Sequence, residues 1–146
     1  MRSTQDTDRT LFQPLRFTYG LVPVIAGADK FTNLLTDWTS YLHPGVASLL
    51  PIDASAFMRA IGVVEIAVGV LVLLPRFTRI GAYVAMAWLA LIAAQLVAIG
   101  QFDVAVRDLV MAVGAWTLAQ VTTARERAGE LEGSIASAPL EHAEAR

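Results

Sequence analysis

The sequence has no cysteine and only two histidines, His43 and His142. The absence of cysteine excludes disulfides, thiolate metal sites, iron–sulfur clusters and dithiol redox chemistry. Two histidines, one of them in a charged C-terminal segment, do not make a bis-histidine haem site, and no zinc-ligand spacing, glycine-rich phosphate loop or nucleophile elbow occurs. We therefore assign no catalytic residue and no metal site, and any redox role must borrow its electron carrier.

Charge is also scarce. Charged residues make up 16% of the 146 positions and hydrophobic residues 55%, the mean hydropathy is +0.55, and the formal net charge is -2. Ten of the eleven basic residues are arginines scattered along the chain, which offers no basic surface for nucleic acid. A single domain this apolar is typical of a protein whose partner is the lipid bilayer.

Four apolar segments are long enough to cross a hydrocarbon core of about 30 Å at about 1.5 Å per residue. These predicted spans, about 14–35, 54–74, 80–99 and 104–121, form a domain over residues 14–122. The segment 36–53 contains Trp38, Tyr41 and three of the prolines and glycines that break helices, and is typical of an interfacial loop. The sequence thus predicts an all-α integral membrane four-helix bundle, with a polar cytoplasmic arm (1–13) and a disordered cytoplasmic tail (123–146).

Arginine and lysine are distributed unequally between the two sides of such a bundle. The side that holds both termini receives seven arginines (Arg2, Arg9, Arg16, Arg76, Arg79, Arg125 and Arg127), and the other side receives Lys30, Arg59 and Arg107. The richer side is expected to be cytoplasmic, so both termini are placed there. An alternative is that Phe17 to Ile25 is the core of a secretory signal, although Gly20 and Pro23 would make it a poor one.

Besides Arg16 at the inner end of the first span, six charged residues lie within the predicted spans: Asp29, Lys30, Arg59, Glu65, Arg107 and Asp108. Each charge at a helix centre costs about 2.5 to 3.5 kcal/mol on the insertion scale, so the group needs a physical reason. Glu65 is nearest the midplane, where a short carboxylate cannot reach water. We expect Glu65 to pair with Arg59 or Arg107, with Asp108 and Asp29 completing an ion network.

Small residues share a helix face with these charges. Gly20 and Gly27 lie on the stripe of Lys30, Gly62 and Gly69 on that of Glu65, and Gly114 on that of Arg107. Helices can approach closely at such positions, so we expect the glycines to be packing sites. Three roles stay open for the charges: a network that sets helix register, a pocket for a polar-headed ligand, or a proton path. Individual arginines can also extend to the headgroups.

Three motifs together resemble the DoxX family of small four-helix bacterial membrane proteins. They are LRFTYGLVPVIAGADKF with Arg16, Gly20, Gly27 and Lys30; IGVVEIAVGVLVLLPRFTR with Gly62, Glu65, Gly69 and Arg79; and VRDLVMAVGA with Arg107 and Asp108. Their order and spacing extend the resemblance over about residues 14 to 121.

The resemblance implies a protein of the bacterial cytoplasmic (inner) membrane, in some members linked to quinone-dependent oxidation or to membrane oxidoreductase complexes. The expected function is an accessory or anchoring subunit of a quinone-linked redox system, with a quinone as the ligand and an oxidoreductase as the partner. The alternatives are a structural or lipid-interacting protein without catalytic activity, and a small transporter, for which four spans would need to assemble as a homo-oligomer.

Overall fold

The chain is all-α over residues 4–136, the part that the computed structural model describes. The five α-helices are α1 (Thr4–Asp29), α2 (Pro44–Leu49), α3 (Ala54–Leu73), α4 (Thr78–Ala98) and α5 (Phe102–Ala136), and a 3₁₀ turn covers Trp38–Tyr41. Within these residues there is no β-strand. We call the segment 30–53, between α1 and α3, the cap.

Three of the described helices, α3, α4 and α5, are long and apolar enough to cross a membrane. They correspond to the second, third and fourth predicted spans. The helix α1 has 26 residues, enough for the same distance, but carries two prolines and a polar first half. It packs along α3 and completes a membrane bundle of four long helices, as the sequence predicted.

Both ends of the bundle differ from the sequence prediction. The helix α1 already begins at Thr4, so the arm predicted over 1–13 is helical from residue 4 onward. The helix α5 continues to Ala136, so the predicted disordered tail is helical over 123–136. That stretch is rich in alanine, glutamate and arginine and has no proline, so the helix extends once the apolar part has nucleated it. Residues 1–3 and 137–146 lie outside the described part of the chain.

The first span also ends earlier than predicted, at Asp29 rather than near residue 35. The chain turns at Asn33, whose φ of 51° is left-handed and cannot continue the helix. The Asp29 carboxylate accepts hydrogen bonds from the backbone N–H groups of Leu34 (2.9 Å) and Leu35 (3.2 Å), which fixes this turn. The residues after it form part of the cap.

The helices α1 and α3 meet through glycines. A Cβ on Gly27 would lie 2.5 Å from the carbonyl oxygen of Gly62, and a Cβ on Gly62 would lie 2.5 Å from the carbonyl oxygen of Gly27. Gly20 and Gly69 form an equivalent contact two turns away. The later glycine of α1 pairs with the earlier glycine of α3, and the earlier one with the later one. The two helices therefore run antiparallel, with their backbones in direct contact.

The start of α1 and the end of α5 lie on the same side of the bundle. The guanidinium carbon of Arg125 lies 4.3 Å from the ring centroid of Phe12. The turn between α3 and α4 is there too, since Arg79 pairs with Glu126 at 2.6 Å. We call this the terminal side, and the opposite one, which carries the cap and the turn between α4 and α5, the cap side.

Candidate functional site

A buried ion pair joins α1 to α3. The Nζ atom of Lys30 lies 2.6 Å from Oε2 of Glu65, and only 4% and 9% of the two side chains are exposed. Lys30 directly follows α1, whereas Glu65 is near the middle of α3. An apolar surrounding strengthens the attraction between two charges, and it makes loss of either partner costly.

The pair forms where the glycine contact leaves space for it. The Cβ of Lys30 lies 3.1 Å from the position that a Cβ on Gly62 would take, and the Cβ of Glu65 lies 3.1 Å from that of a Cβ on Gly27. Each charged side chain therefore passes over the glycine of the opposite helix. Side chains tilt toward the N-terminus of their own helix, so on antiparallel helices these two converge.

The partner expected for Glu65 was wrong, because the sequence analysis named Arg59 or Arg107. Arg59 lies on α3 itself, six residues before Glu65, and its side chain tilts away from Glu65 and is exposed. Arg107 instead faces outward from α5, 3.7 Å from Asp103, and the two side chains are 71% and 78% exposed. Arg107 is therefore not part of the buried network.

Asp108 is only half-buried on α5, next to the pair. Its carboxylate is close enough to interact electrostatically with both Glu65 and Lys30. Asp108 makes no salt bridge with Lys30 within the described residues, so Glu65 is the carboxylate in direct contact with the ammonium.

Asp29 was expected to complete the ion network, but its carboxylate instead binds groups of the cap. Its carboxylate accepts hydrogen bonds from the hydroxyl of Thr32 (3.1 Å) and the indole N–H of Trp38 (2.8 Å), in addition to the two backbone groups of the turn. It makes no salt bridge within the described residues and acts on the fold of the cap. The ring of Trp38, which donates to Asp29, also contacts the ammonium of Lys30, so Asp29 acts on the ion pair indirectly.

Trp38 covers Lys30. The ammonium lies 3.7 Å from the centroid of the tryptophan ring, in the geometry of a cation–π contact. The cap is tied to α4 as well, since the side-chain amide of Gln95 donates to the carbonyl oxygen of Tyr41 at 2.6 Å. Sequence reasoning missed this role for Trp38, which it used only as an indication of an interfacial loop. The signal for it was a tryptophan close in sequence to a membrane lysine with an aspartate beside it.

Trp88 on α4 has its indole N–H near the carboxylate of Glu65. Its indole N–H is close enough to interact with Glu65. It is nevertheless outside hydrogen-bond geometry, so this buried N–H has no hydrogen-bond partner in the described part of the chain.

A small cleft opens beside the ion pair on the cap side. Its volume is about 50 Å³, and its walls are formed by Lys30, Phe31, Asn33, Thr39, Ser55, Met58 and Arg59. A cavity of this size holds a few water molecules. It brings Arg59 and Lys30 to one place, although Arg59 does not pair with Glu65. The described residues contain no group of three potential metal ligands.

The glycines of the sequence analysis all lie at helix contacts. Gly20, Gly27, Gly62 and Gly69 line the contact between α1 and α3, and Gly114 on α5 faces the hydroxyl of Tyr19 on α1. Arg16 donates to the carbonyl oxygen of Leu73, at the end of α3 on the terminal side. This guanidinium joins the same two helices, far from the ion pair.

The family comparison agrees with the resemblance seen in the sequence. The model of the DoxX family matches residues 11–100. The matched part contains the ion pair, Trp38, Gln95 and the cleft, whereas Asp108 and the rest of α5 lie beyond it. Neither the curated proteins nor the solved structures include a significant match to the chain.

Proposed function

We propose, from the premise that this chain belongs to the DoxX family of membrane proteins, that it is an accessory or anchoring subunit of a quinone-linked redox system. In this role the Lys30–Glu65 pair and the cleft beside it bind the head group of a quinone, and a partner oxidoreductase holds the electron carrier. The protein is placed in the bacterial inner membrane with the terminal side in the cytoplasm, so that the cleft faces the extracytoplasmic half of the bilayer.

The observation that carries the proposal is a buried, ion-paired lysine that lines a small cleft. An ammonium has three N–H donors, and the Glu65 carboxylate is 2.6 Å from Nζ and takes one of them. A quinone presents two carbonyl oxygens that only accept hydrogen bonds. Lys30 and Arg59 both line the cleft and can donate hydrogen bonds to such an oxygen.

The size of the cleft limits how a quinone sits. About 50 Å³ admits a carbonyl group but not a whole ring. The ring must then lie at the mouth of the cleft, where Phe31 is half-exposed, and an isoprenoid chain extends into lipid. Such shallow binding suits an accessory subunit that presents the quinone to a partner, rather than an enzyme that reduces it.

The test compares Glu65→Gln and Lys30→Gln with the control Arg107→Gln, which removes a charge outside the buried network. We expect both pair variants to lower quinone-dependent oxidation by membranes several-fold per amount of folded protein, with a lower yield as well, because each leaves one buried charge unpaired. The control is expected to retain activity. Full activity in both pair variants would contradict the proposal.

A second function, a purely structural ion pair, is favoured by the glycine contact that the pair crosses. The double variant Lys30→Met with Glu65→Leu separates the two, because buried ion pairs are often replaced by apolar residues without loss of stability, whereas removing one partner costs about 3–5 kcal/mol. If the pair is structural, the double variant recovers both folded yield and activity. If it binds a head group, the double variant recovers the yield only.

A further inference from the structure

The helix α5 is too long to be contained in the membrane. Its 35 residues span about 52 Å at about 1.5 Å per residue, against a hydrocarbon core of about 30 Å. The first turn of α4 meets it at Glu126, through the ion pair with Arg79. The residues of α5 after Glu126 therefore continue past the end of α4, and we call 127–136 the α5 extension.

The α5 extension, together with Ala124 just before it, has an exposed apolar face. Leu131 and Ile135 are 65% and 76% exposed, and Ala124 and Ala128 are exposed on the same side of the helix. At about 100° per residue these four positions fall within about 60° of each other. The helix has no proline, so the extension follows the transmembrane part outward and does not fold down onto the membrane surface.

The spacing of this face is that of a coiled coil. Ala124, Ala128, Leu131 and Ile135 alternate steps of four and three, the a and d positions of a heptad. Arg127 then occupies a g position and Glu132 an e position, one on each flank of the face. In a parallel pair of helices a g residue lies next to the e residue five positions later on the other chain, so a basic position faces an acidic one across the contact.

We propose that the α5 extension is a dimerisation helix, which binds the same helix of a second copy as a short parallel coiled coil. Two copies inserted in one membrane have the same orientation, so their extensions emerge on the same side, parallel and at the same height. Two heptads are too short to pair in free solution. The membrane holds both copies in a plane, however, and thus raises their effective concentration.

The exposed face also continues along the transmembrane part of α5. Val106, Val110 and Val113 are between 59% and 65% exposed, and they lie on the side of the helix that leads to Ala124. This gives the dimer an apolar contact on both sides of the membrane boundary. It leaves the cleft of each copy, on the cap side, accessible.

The absence of cysteine permits a direct test by disulfide cross-linking of the full chain in membranes. Leu131→Cys and Ile135→Cys place one thiol on the proposed contact. Gly129→Cys and Gly133→Cys place it on the opposite face, where a new side chain has nothing within 4 Å. We expect several-fold more disulfide-linked dimer at 131 and 135 than at the two control positions.

Equal cross-linking at all four positions, or none at 131 and 135, would overturn the proposal. A second variant tests whether cross-linking reflects only chance collisions. Leu131→Asp combined with Ile135→Cys should reduce cross-linking at position 135 to the control level. An unchanged amount of disulfide-linked dimer would count against the proposal. A chain without residues 137–146 tests whether that segment covers the face instead. In that case cross-linking at 131 arises only after its removal, which also contradicts the proposal.

Discussion

Trp38 holds two opposite charges in place at once. Its ring covers the ammonium of Lys30, and its N–H donates to the carboxylate of Asp29 at 2.8 Å. Asp29 and Lys30 are neighbours in the chain, yet the ammonium of Lys30 pairs with Glu65. The tryptophan thus lets two adjacent charges of opposite sign serve different partners, one for the cap and one for α3.

This arrangement predicts separate costs for the ring and for the N–H. Trp38→Leu removes both contacts and should lower the free energy of unfolding by about 2 kcal/mol or more, the size of a desolvated cation–π contact. Trp38→Phe keeps a ring face over Lys30 and loses only the hydrogen bond, so it should cost less. Thermal unfolding of the purified protein in detergent measures both. Equal losses in the two variants would show that the ring face contributes nothing.

At the scale of single residues, sequence reasoning could identify the charges of the site but not how they pair. A carboxylate at the position of Glu65 had to have a polar partner, and this followed from the cost of an isolated charge in lipid. Lys30 was among the six candidates but was not chosen as the partner. The choice depends on which helices are adjacent and which way side chains tilt, and neither is visible in one linear sequence.

At the scale of the elements, the antiparallel contact of α1 with α3 organises the site. Each helix contributes a glycine followed three residues later by the charge that passes over the opposite glycine. The close approach of the backbones and the ion pair therefore depend on each other. Neither helix could keep its charged residue in lipid alone.

Adding a single methyl group at this contact should separate the helices. A Cβ on Gly27 would be 2.5 Å from the carbonyl oxygen of Gly62 and 2.9 Å from a side-chain carbon of Ile66, so Gly27→Ala should destabilise the bundle by about 1–3 kcal/mol. Gly129→Ala on the α5 extension is the matched control, since nothing lies within 4 Å there. It should be neutral or slightly stabilising, because alanine is the better helix former. Thermal unfolding of the two variants gives the comparison, and equal effects would refute the role of the contact.

At the scale of the whole molecule, the two sides of the bundle are built differently. The cap side carries short elements folded over a buried ion pair, and the terminal side carries the turn between α3 and α4 and the α5 extension. The start of α1 and the end of α5 lie together, as the contact between Phe12 and Arg125 shows. This is the arrangement expected of an even number of membrane crossings. Most arginines of residues 4–136 lie on this terminal side, and Arg59 and Arg107 lie on the cap side.

The charge asymmetry predicts which side faces the cytoplasm. A single cysteine at Ser48, which is exposed in α2 of the cap, should react with a membrane-impermeant thiol reagent in intact cells. A single cysteine at Gly133 in the α5 extension should react only after the cells are permeabilised. The opposite pattern would reverse the orientation, and labelling of both positions in intact cells would mean that the two sides are not separated by the membrane.

The sequence by itself determined the class of the protein and the positions of α3 and α4, because long apolar segments bounded by proline, glycine and charge have one stable arrangement in lipid. It also determined which residues needed an explanation, namely the ionisable groups within the spans and the glycines beside them. The ends of the helices were harder to predict from the sequence, because helix-forming residues such as those of 123–136 are equally common in exposed helices and in irregular tails.

Only the tertiary structure decided how those residues combine. It paired Glu65 with Lys30, left Arg107 outside, turned Asp29 toward the cap and placed Trp38 over the ammonium. Each of these outcomes depends on distances between residues far apart in the chain. Such distances are set by the antiparallel packing of α1 on α3 and by the fold of the cap, which no local pattern of hydropathy or charge encodes.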